Sequence, residues 1–159
     1  MYITLLCVGK IKEKYWQQAI DEYTKRLGKY HQFKIITVAD EKDPSHESPQ
    51  AIALIKDKEA ERLLKHIKQD DFVITLEIDG KQFDTLTFAK YLSNCEATNK
   101  THLTFVIGGS FGLSSLVCER SNMALSFSNF TFPHQLMRVI FVEQIYRCAR
   151  INAGQKYHK

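Results

Sequence analysis

The sequence predicts an α/β protein in which helices flank a mostly parallel sheet. Short apolar runs, typical of strands, alternate along the chain with longer segments whose apolar residues recur at helical spacing. The first run, residues 3–8, is apolar almost throughout, as expected for a strand covered on both faces in a parallel sheet. The alternation and this doubly buried strand together favour a parallel sheet over an antiparallel one.

The first half of the chain contains two predicted strands and two predicted helices. Residues 3–8 and 33–39 form the strands, and residues 13–30 and 50–68 form the helices, each with an apolar stripe. The charged run at residues 56–59 is interpreted as the solvent-exposed face of the second helix. Residues 40–49 hold two prolines and two serines among charges, which indicates a mobile surface loop too short to divide domains. We therefore expect one domain spanning residues 1–159.

The second half continues the same alternation. A third strand covers residues 72–78, and the turn signal Asp79-Gly80 is expected to end it. Asp84 or Thr85 can cap a third helix that runs to about residue 97. A fourth strand at 103–107 leads through a glycine turn and a short helix, ending near residue 119, to a fifth strand at 123–127. Pro133 suits the first turn of a last helix that reaches residue 151.

Composition and charge exclude several classes of protein. The net charge is +4, and the excess of Lys and Arg lies after residue 132, which suits either phosphate contacts or a solvated surface. Four scattered cysteines have no metal-binding or dithiol spacing. The start of the chain lacks the pattern of a signal peptide, and the longest uncharged run contains three glycines, so neither secretion nor a membrane span is expected. The predicted location is the cytoplasm.

The glycine turn at residues 108–112 follows the fourth strand, at an edge of the sheet where ligands bind in such folds. Its sequence, GGSFG, matches neither of the common glycine-rich phosphate motifs. The glycines of such a turn often serve only to let the backbone bend tightly, without binding a ligand. If it binds a ligand, the missing side chains would allow close approach of a flat or hydroxylated group, such as the adenosine part of a cofactor.

The last helix is apolar on nearly every side, which is typical of a helix buried against more than one neighbour. A homodimer with this helix near its interface would cover the second side, and other helices of the same chain would do so equally well. Glu143, Arg147 and Arg150 share one side of this helix. They form either an ordinary helix ion pair or a group that faces a cleft. His134, beside Pro133, is either a helix-start residue or part of a site.

The string LSFSNFTFPHQLMRVIFVEQIYR, preceded by VIGGSFGL and followed by the terminal YHK, closely resembles the RlmH family. This family comprises 23S rRNA pseudouridine N3-methyltransferases of the SPOUT class, and the resemblance covers the whole chain. It implies a homodimer, a C-terminal trefoil knot that topology rules alone would exclude, and S-adenosylmethionine as methyl donor. The implied partner is 23S rRNA in the large subunit or the whole ribosome. The resemblance implies no metal and no membrane.

The resemblance also implies two sets of site residues. The cofactor would lie against the ends of the third and fourth strands and the backbone of the loop after the fifth: Leu76, Gly108, Phe127, Ser128, Asn129, Phe130, Thr131 and Phe132. The acceptor base would be surrounded by His134, Arg138, Glu143, Arg147, Tyr157 and His158. Asn129 and Phe130 stand where close relatives would have Lys and Met or Leu. This exchange matters little if the loop binds through its main chain, and it weakens RNA binding if that Lys contacts RNA.

The implied reaction mainly requires positioning, because an imide nitrogen of the base attacks an already electrophilic methyl group. The imide proton must leave, and Glu143, His134 and His158 are the candidate bases. The arginines would stabilise the resulting anion or hold phosphate. Methylation of a different RNA nucleotide, or a catalytically silent protein that binds RNA or ribosomes, remain the alternatives.

Overall fold

The computed structural model of the protein describes residues 1–157, in which five strands alternate with five helices. The strands are β1 (Tyr2–Val8), β2 (Gln32–Val38), β3 (Phe72–Gln82), β4 (His102–Ile107) and β5 (Met123–Ser126). The helices are α1 (Lys14–Leu27), α2 (Pro49–Leu64), α3 (Thr85–Ala97), α4 (Ser115–Arg120) and α5 (His134–Asn152). Element types and order confirm the sequence prediction. No helix in the described part of the chain combines the length and the apolarity that crossing a membrane requires.

All five strands are parallel and form one sheet in the order β2-β1-β4-β3-β5. A parallel sheet needs helices on both faces, and two separate buried clusters satisfy this requirement. One cluster packs α1, α3 and α5 against β1, β3 and β4, and the other packs α2 and α4 against the opposite face. The protein is therefore a three-layer α/β structure, and the carboxyl ends of all strands meet at one edge.

The predicted end of β3 is wrong. The strand does not stop at Asp79-Gly80; it resumes pairing after an irregularity in which Leu125 of β5 lies opposite both Leu76 and Lys81. The backbone at Gly80 is pressed so closely against β5 that an added Cβ would lie 2.6 Å from the carbonyl carbon of Leu125. The turn signal thus marks a local bulge, and the glycine is required for close approach rather than for chain reversal.

The interpretation of residues 56–59 as a solvent-exposed face is also wrong in part. Glu59 is 5% exposed and accepts a hydrogen bond of 3.0 Å from the backbone N–H of Glu41. Burial raises the pKa of this carboxyl group, with the nearby acids acting in the same direction. Asp57 accepts a hydrogen bond of 2.6 Å from Ser114. Asp57 and Lys58 are nevertheless exposed, so the prediction fails only for Glu59, which joins α2 to the loop after β2.

Helix α5 packs on the sheet between α1 and α3, so other helices of the same chain cover much of its apolar surface. Phe141, Val142 and Ile145 are fully buried. Leu136 and Ile140, nearer its start, stay partly exposed. Pro133 occupies the position before the first helical residue instead of the first turn, whereas Asp84, one of the two predicted caps, does cap α3. The apolar surface left for a partner is thus restricted to the first half of α5 and its neighbours.

Candidate functional site

The middle of β3, at residues 76–78, and the loops after β4 and β5 enclose a cavity of about 390 Å³. This is a volume typical of small-molecule sites. Seven of the eight predicted cofactor residues line it: Leu76, Gly108, Phe127, Ser128, Phe130, Thr131 and Phe132. The eighth, Asn129, does not line the cavity, and its side-chain oxygen accepts a hydrogen bond of 2.6 Å from Gln82.

The glycine turn forms one wall of this cavity because its backbone folds tightly on itself. A Cβ added to Gly108 would lie 2.7 Å from the carbonyl carbon of Gly112. Gly112 has a φ of +82°, a left-handed conformation that disfavours other residues. Its N–H donates a hydrogen bond of 3.0 Å to the carbonyl oxygen of Gly109. The wall is therefore a backbone surface that a ligand can approach closely.

The loop after β5 lines the same cavity and contains backbone N–H groups that no described residue accepts. Of the amides at residues 129–132, only that of Phe130 has an acceptor within the described residues, the hydroxyl of Ser128 at 3.0 Å. The side chain of Phe130 is largely exposed. Because unpaired backbone N–H groups need a partner when water is excluded, this loop suits a ligand with several hydrogen-bond acceptors. The residues present thus fit an adenosyl group, which offers ring nitrogens and ribose oxygens beside flat apolar surface.

Glu77 is a cavity residue that the sequence analysis did not identify. It is the only carboxylate among the described residues that line this cavity. Its carboxylate is held in place by a hydrogen bond of 2.5 Å from the hydroxyl of Thr75. A carboxylate here can accept hydrogen bonds from hydroxyl groups and offset a positive charge. The signal available in the sequence was weak: one acidic residue at the predicted end of an otherwise apolar strand.

His134 lies where this cavity meets a second one of about 300 Å³, and it lines both. The second cavity lies at the ends of β1 and β2, and the glycine turn separates the two. Burial lowers the pKa of His134, the nearby Arg138 guanidinium lowers it further, and Asp40 opposes the shift. The imidazole is therefore neutral near pH 7 and able to accept a proton.

Arg138 is buried beneath the second cavity, with 1% of its surface exposed. Its guanidinium donates hydrogen bonds to the carbonyl oxygens of Val8, at 2.5 Å, and Gly9, at 2.8 Å. These contacts attach the end of β1 to α5. The structure therefore gives Arg138 a position beside His134 but outside the cavity lined by the predicted cofactor residues.

Glu143, Arg147 and Tyr157 form a separate cluster farther along α5. The carboxylate of Glu143 accepts hydrogen bonds from Arg147 at 2.5 Å and from the Tyr157 hydroxyl at 3.3 Å. The Arg147 guanidinium also lies over the Tyr157 ring, 4.7 Å from its centroid. Burial, followed by the Glu143 charge, raises the pKa of Tyr157 to about 12, so its hydroxyl stays protonated and acts as a donor.

The six predicted acceptor-site residues are therefore not brought together within one chain. Nine residues separate His134 from Glu143, which corresponds to about 14 Å along a helix. The structure brings His134 and Arg138 together at one end of α5 and Glu143, Arg147 and Tyr157 together at the other. The prediction for His158 concerns a position outside the described residues. Within residues 1–157 there is no group of three or more His, Cys, Asp or Glu side chains suited to holding a metal ion.

Comparison with known proteins identifies the family. A family model described as a predicted SPOUT methyltransferase matches residues 1–158. The ribosomal RNA large subunit methyltransferase H of Bifidobacterium animalis subsp. lactis is 52% identical over 159 residues, and that of Clostridium botulinum strain Kyoto is 51% identical over the same length. In each case the match covers 100% of both chains. A curated protein of Methanococcus maripaludis strain C5 is 54% identical, also with full coverage of both chains.

A solved structure supports the same fold. A probable methylase family protein from Haemophilus influenzae Rd KW20 superimposes with a TM-score of 0.52, covering 99% of this chain and 70% of that one. Its sequence identity is 13%, so this likeness concerns the fold alone. The family model and the full-length identities confirm the resemblance found in the sequence. The chain belongs to the SPOUT methyltransferases, in the family of ribosomal RNA large subunit methyltransferase H.

Proposed function

We propose that this protein methylates N3 of a pseudouridine in 23S rRNA, with S-adenosylmethionine as methyl donor and the assembled ribosome or its large subunit as substrate, in the cytoplasm. The observation that carries the proposal is the cavity at the carboxyl edge, which collects seven of the eight predicted cofactor residues beside His134. The names of the relatives, which specify ribosomal RNA of the large subunit, support the substrate.

The cofactor would be held mainly by backbone. The loop after β5 would bind the adenosyl group through its free amides, and the glycine turn would lie against its flat surface. Glu77 would accept hydrogen bonds from ribose hydroxyls. Because these contacts are largely main-chain, the exchange at Asn129 and Phe130 should leave cofactor binding intact. When bound, the cofactor supplies an electrophilic methyl group.

The acceptor base would approach from the side of His134. A neutral imidazole at the boundary of the two cavities is placed to accept the imide proton, either directly or from water. Arg138, beside it, adds a positive charge that stabilises the anionic base. His134 is therefore the preferred general base among the described residues. Glu143 is already engaged by Arg147 and Tyr157, which makes it a poorer proton acceptor.

A homodimer would explain why one chain separates the acceptor residues into two groups. If the second subunit places its Glu143, Arg147 and Tyr157 cluster beside the first subunit's His134, both groups act on one base. An apolar groove of about 510 Å³ lies next to the cofactor cavity and shares Phe127 and Phe132 with it. Leu86 and Ile140 also line the groove, and Leu86 is 56% exposed. A partner seated there would contact the cofactor loop directly. The C-terminal trefoil knot stays a prediction from the family.

The deciding experiment is transfer of radiolabelled methyl from S-adenosylmethionine to ribosomes of a strain that lacks the modification. Incorporation should occur at N3 of a pseudouridine in 23S rRNA, located by digestion and mass spectrometry. Ribosomes that already carry the modification are the matched control and should incorporate no label. Labelling at another nucleotide would assign a different RNA target, and binding without labelling would identify a silent ribosome-binding relative.

A further inference from the structure

We propose that the second cavity, at the start of α5, is a phosphate-binding site that grips the rRNA backbone beside the acceptor base. This inference rests on the proposed function, and it adds Lys10, Lys12 and Lys42 to the residues that the family resemblance identified. The site consists of the first turn of α5, the buried guanidinium of Arg138, and the side chains of Lys10, Lys12 and Lys42.

The start of α5 favours an anion for electrostatic reasons. This helix has 19 residues, and no side chain caps its N-terminus, since Pro133 occupies the capping position. Its first backbone N–H groups therefore lack helical partners, and the aligned peptide dipoles place partial positive charge there. His134 and Gln135, which begin the helix, line the cavity. An anion in this space would meet free donors and a favourable field.

Arg138 gives independent evidence for a missing acceptor. It is 1% exposed, and it also lines the cavity. Only Nη2 of its guanidinium is hydrogen-bonded, whereas buried Nε and Nη1 have no partner within the described residues. Leaving buried charged donors unpaired is costly, so an acceptor supplied from outside is expected at this place. A phosphate oxygen, directly or through a water molecule, would satisfy it.

The lysines are held at the mouth of this cavity by the fold. The backbone N–H of Lys12 donates a hydrogen bond of 2.8 Å to the side-chain oxygen of Gln135. Arg138 donates hydrogen bonds to the carbonyl oxygens of Val8 and Gly9. The loop after β1 is thereby fixed against the first turns of α5. Lys10, Lys12 and Lys42 are exposed, and none of them makes an ion pair among residues 1–157. Three lysines without an ion-pair partner among the described residues therefore line the cavity at the start of α5.

Four acids also line the cavity and oppose the binding of an anion. Glu41 pairs with Arg62 and Lys58, which lie outside the cavity. Glu59 is buried, which raises its pKa, and it accepts a hydrogen bond from the backbone N–H of Glu41. Asp40 and Asp43 do not join a cluster suited to a metal ion within the described residues. Four basic side chains thus line the cavity beside three acids that pair with no base among residues 1–157, and the helix start adds to this small positive excess. The three acids make the site weak for free phosphate and dependent on the rest of the RNA.

The first experiment measures ribosome binding against salt concentration, because neutralising each phosphate releases counterions. The Lys10→Gln/Lys12→Gln double variant should bind ribosomes more weakly by co-sedimentation. The slope of log K against log salt should be shallower by about 0.7–0.9 for each phosphate that the variant no longer neutralises. The Lys10→Arg/Lys12→Arg variant, which keeps the charge, should retain the wild-type slope. Lys65→Gln, at the opposite edge of the sheet, is the matched control and should also resemble the wild type.

The second experiment uses inorganic phosphate and the protein alone. Backbone amide resonances of Gln135 and Leu136 should shift saturably with phosphate but not with chloride at equal ionic strength, and the double variant should not show the shift.

Equal salt slopes for Lys10→Gln/Lys12→Gln and Lys65→Gln, or equal phosphate shifts in wild type and double variant, would overturn the proposal. Failure of wild type to methylate ribosomes would refute the proposed function but leave a saturable phosphate shift standing, so the two failures are distinguishable.

Discussion

The guanidinium of Arg138 donates hydrogen bonds to the carbonyl oxygens of Val8, at 2.5 Å, and Gly9, at 2.8 Å, although 130 positions separate Arg138 from Val8 in the chain. The interaction joins the end of the first strand to the last helix beside the second cavity. The same residue thus fixes the geometry of the loop after β1 and of the helix that begins at His134.

Replacing Arg138 should therefore destabilise the fold. Arg138→Met leaves both carbonyl oxygens without their buried donor, and the free energy of unfolding should fall by about 2–3 kcal/mol. Arg138→Lys should cost less, because an ammonium group can still satisfy one carbonyl. Urea denaturation measures both. Arg26→Met, which removes only an exposed ion pair on α1, is the control and should change stability by less than about 0.5 kcal/mol. Equal effects at the two sites would contradict this structural role.

Gly108→Ala should abolish tight cofactor binding. The added methyl group would lie 2.7 Å from the backbone of Gly112, so the glycine turn must move away from the position that forms the cavity wall. We expect the dissociation constant for S-adenosylmethionine, measured by calorimetry, to rise at least about tenfold, about 1.4 kcal/mol. Gly28→Ala provides the control, because Gly28 has a φ of −58° and the nearest atom to the added Cβ, the carbonyl oxygen of Lys25, would lie at an ordinary contact distance of 3.5 Å. Unchanged affinity in Gly108→Ala would remove the glycine turn from the cofactor site.

Deleting residues 157–159 should abolish methyl transfer to ribosomes and leave cofactor binding and folding intact. The deletion removes the Tyr157 ring from Arg147 and its hydroxyl from Glu143, interactions far from the cofactor cavity. Tyr157→Phe keeps the ring over Arg147 and should retain more activity than the deletion. Single-turnover methylation and calorimetry separate the two functions. Normal turnover by the truncated protein would show that the tail is not part of the site.

Stability should depend on the protonation of His134. Its pKa lies below the ordinary value of about 6.5, so the unfolded chain binds this proton more readily than the folded one as the pH falls. The folded state therefore becomes progressively less stable below about pH 6.5, and His134→Gln should reduce that destabilisation. Burial acts in the same direction on His31. Urea midpoints at pH 7.5 and 5.5 measure the effect, with exposed His66→Gln as control. The prediction is wrong if the urea midpoint of His134→Gln falls between pH 7.5 and 5.5 as much as that of the wild type.

Sedimentation equilibrium at micromolar concentration should give a dimer. Leu86→Lys introduces a charge into the apolar groove beside the cofactor cavity and should shift the equilibrium toward monomer. Leu54→Lys is matched in chemistry and exposure, at 57% against 56%, but lies on α2 at the opposite face, and it should not change assembly. A monomeric wild type would refute the homodimer.

The sequence was sufficient to predict the order of the elements and the edge of the sheet at which a cavity lies, because both depend on local patterns. Apolar periodicity identifies strands and helices, and parallel strands necessarily bring their carboxyl ends to one edge. The extension of β3 beyond Gly80 was missed because the pairing of Lys81 with Leu125 is a tertiary interaction that overrides a local turn signal. Nothing in the spacing of residues indicates such a pairing.

Polar side chains that act between distant segments were the hardest to predict. Glu59 belongs to a charged run that resembles a solvated face, yet the fold buries it against the glycine turn, where its carboxylate would lie 2.8 Å from a Cβ added to Gly109. The predicted acceptor residues of α5 followed from resemblance, and the predicted helix already implied that His134 and Glu143 lie about 14 Å apart. The apolar surface of α5 suggested a partner protein, but α1 and α3 of the same chain cover much of that surface.

The hydrogen bonds between Arg138 and the end of β1 can form only late in protein synthesis. The strand is translated first, but the residue that fixes its end emerges only after most of the chain has left the ribosome. The loop carrying Lys10 and Lys12 therefore cannot settle beside His134 in a nascent or prematurely terminated chain. The surface that we propose for the RNA substrate would therefore be complete only at the end of translation, and fragments of the protein should be inert toward ribosomes.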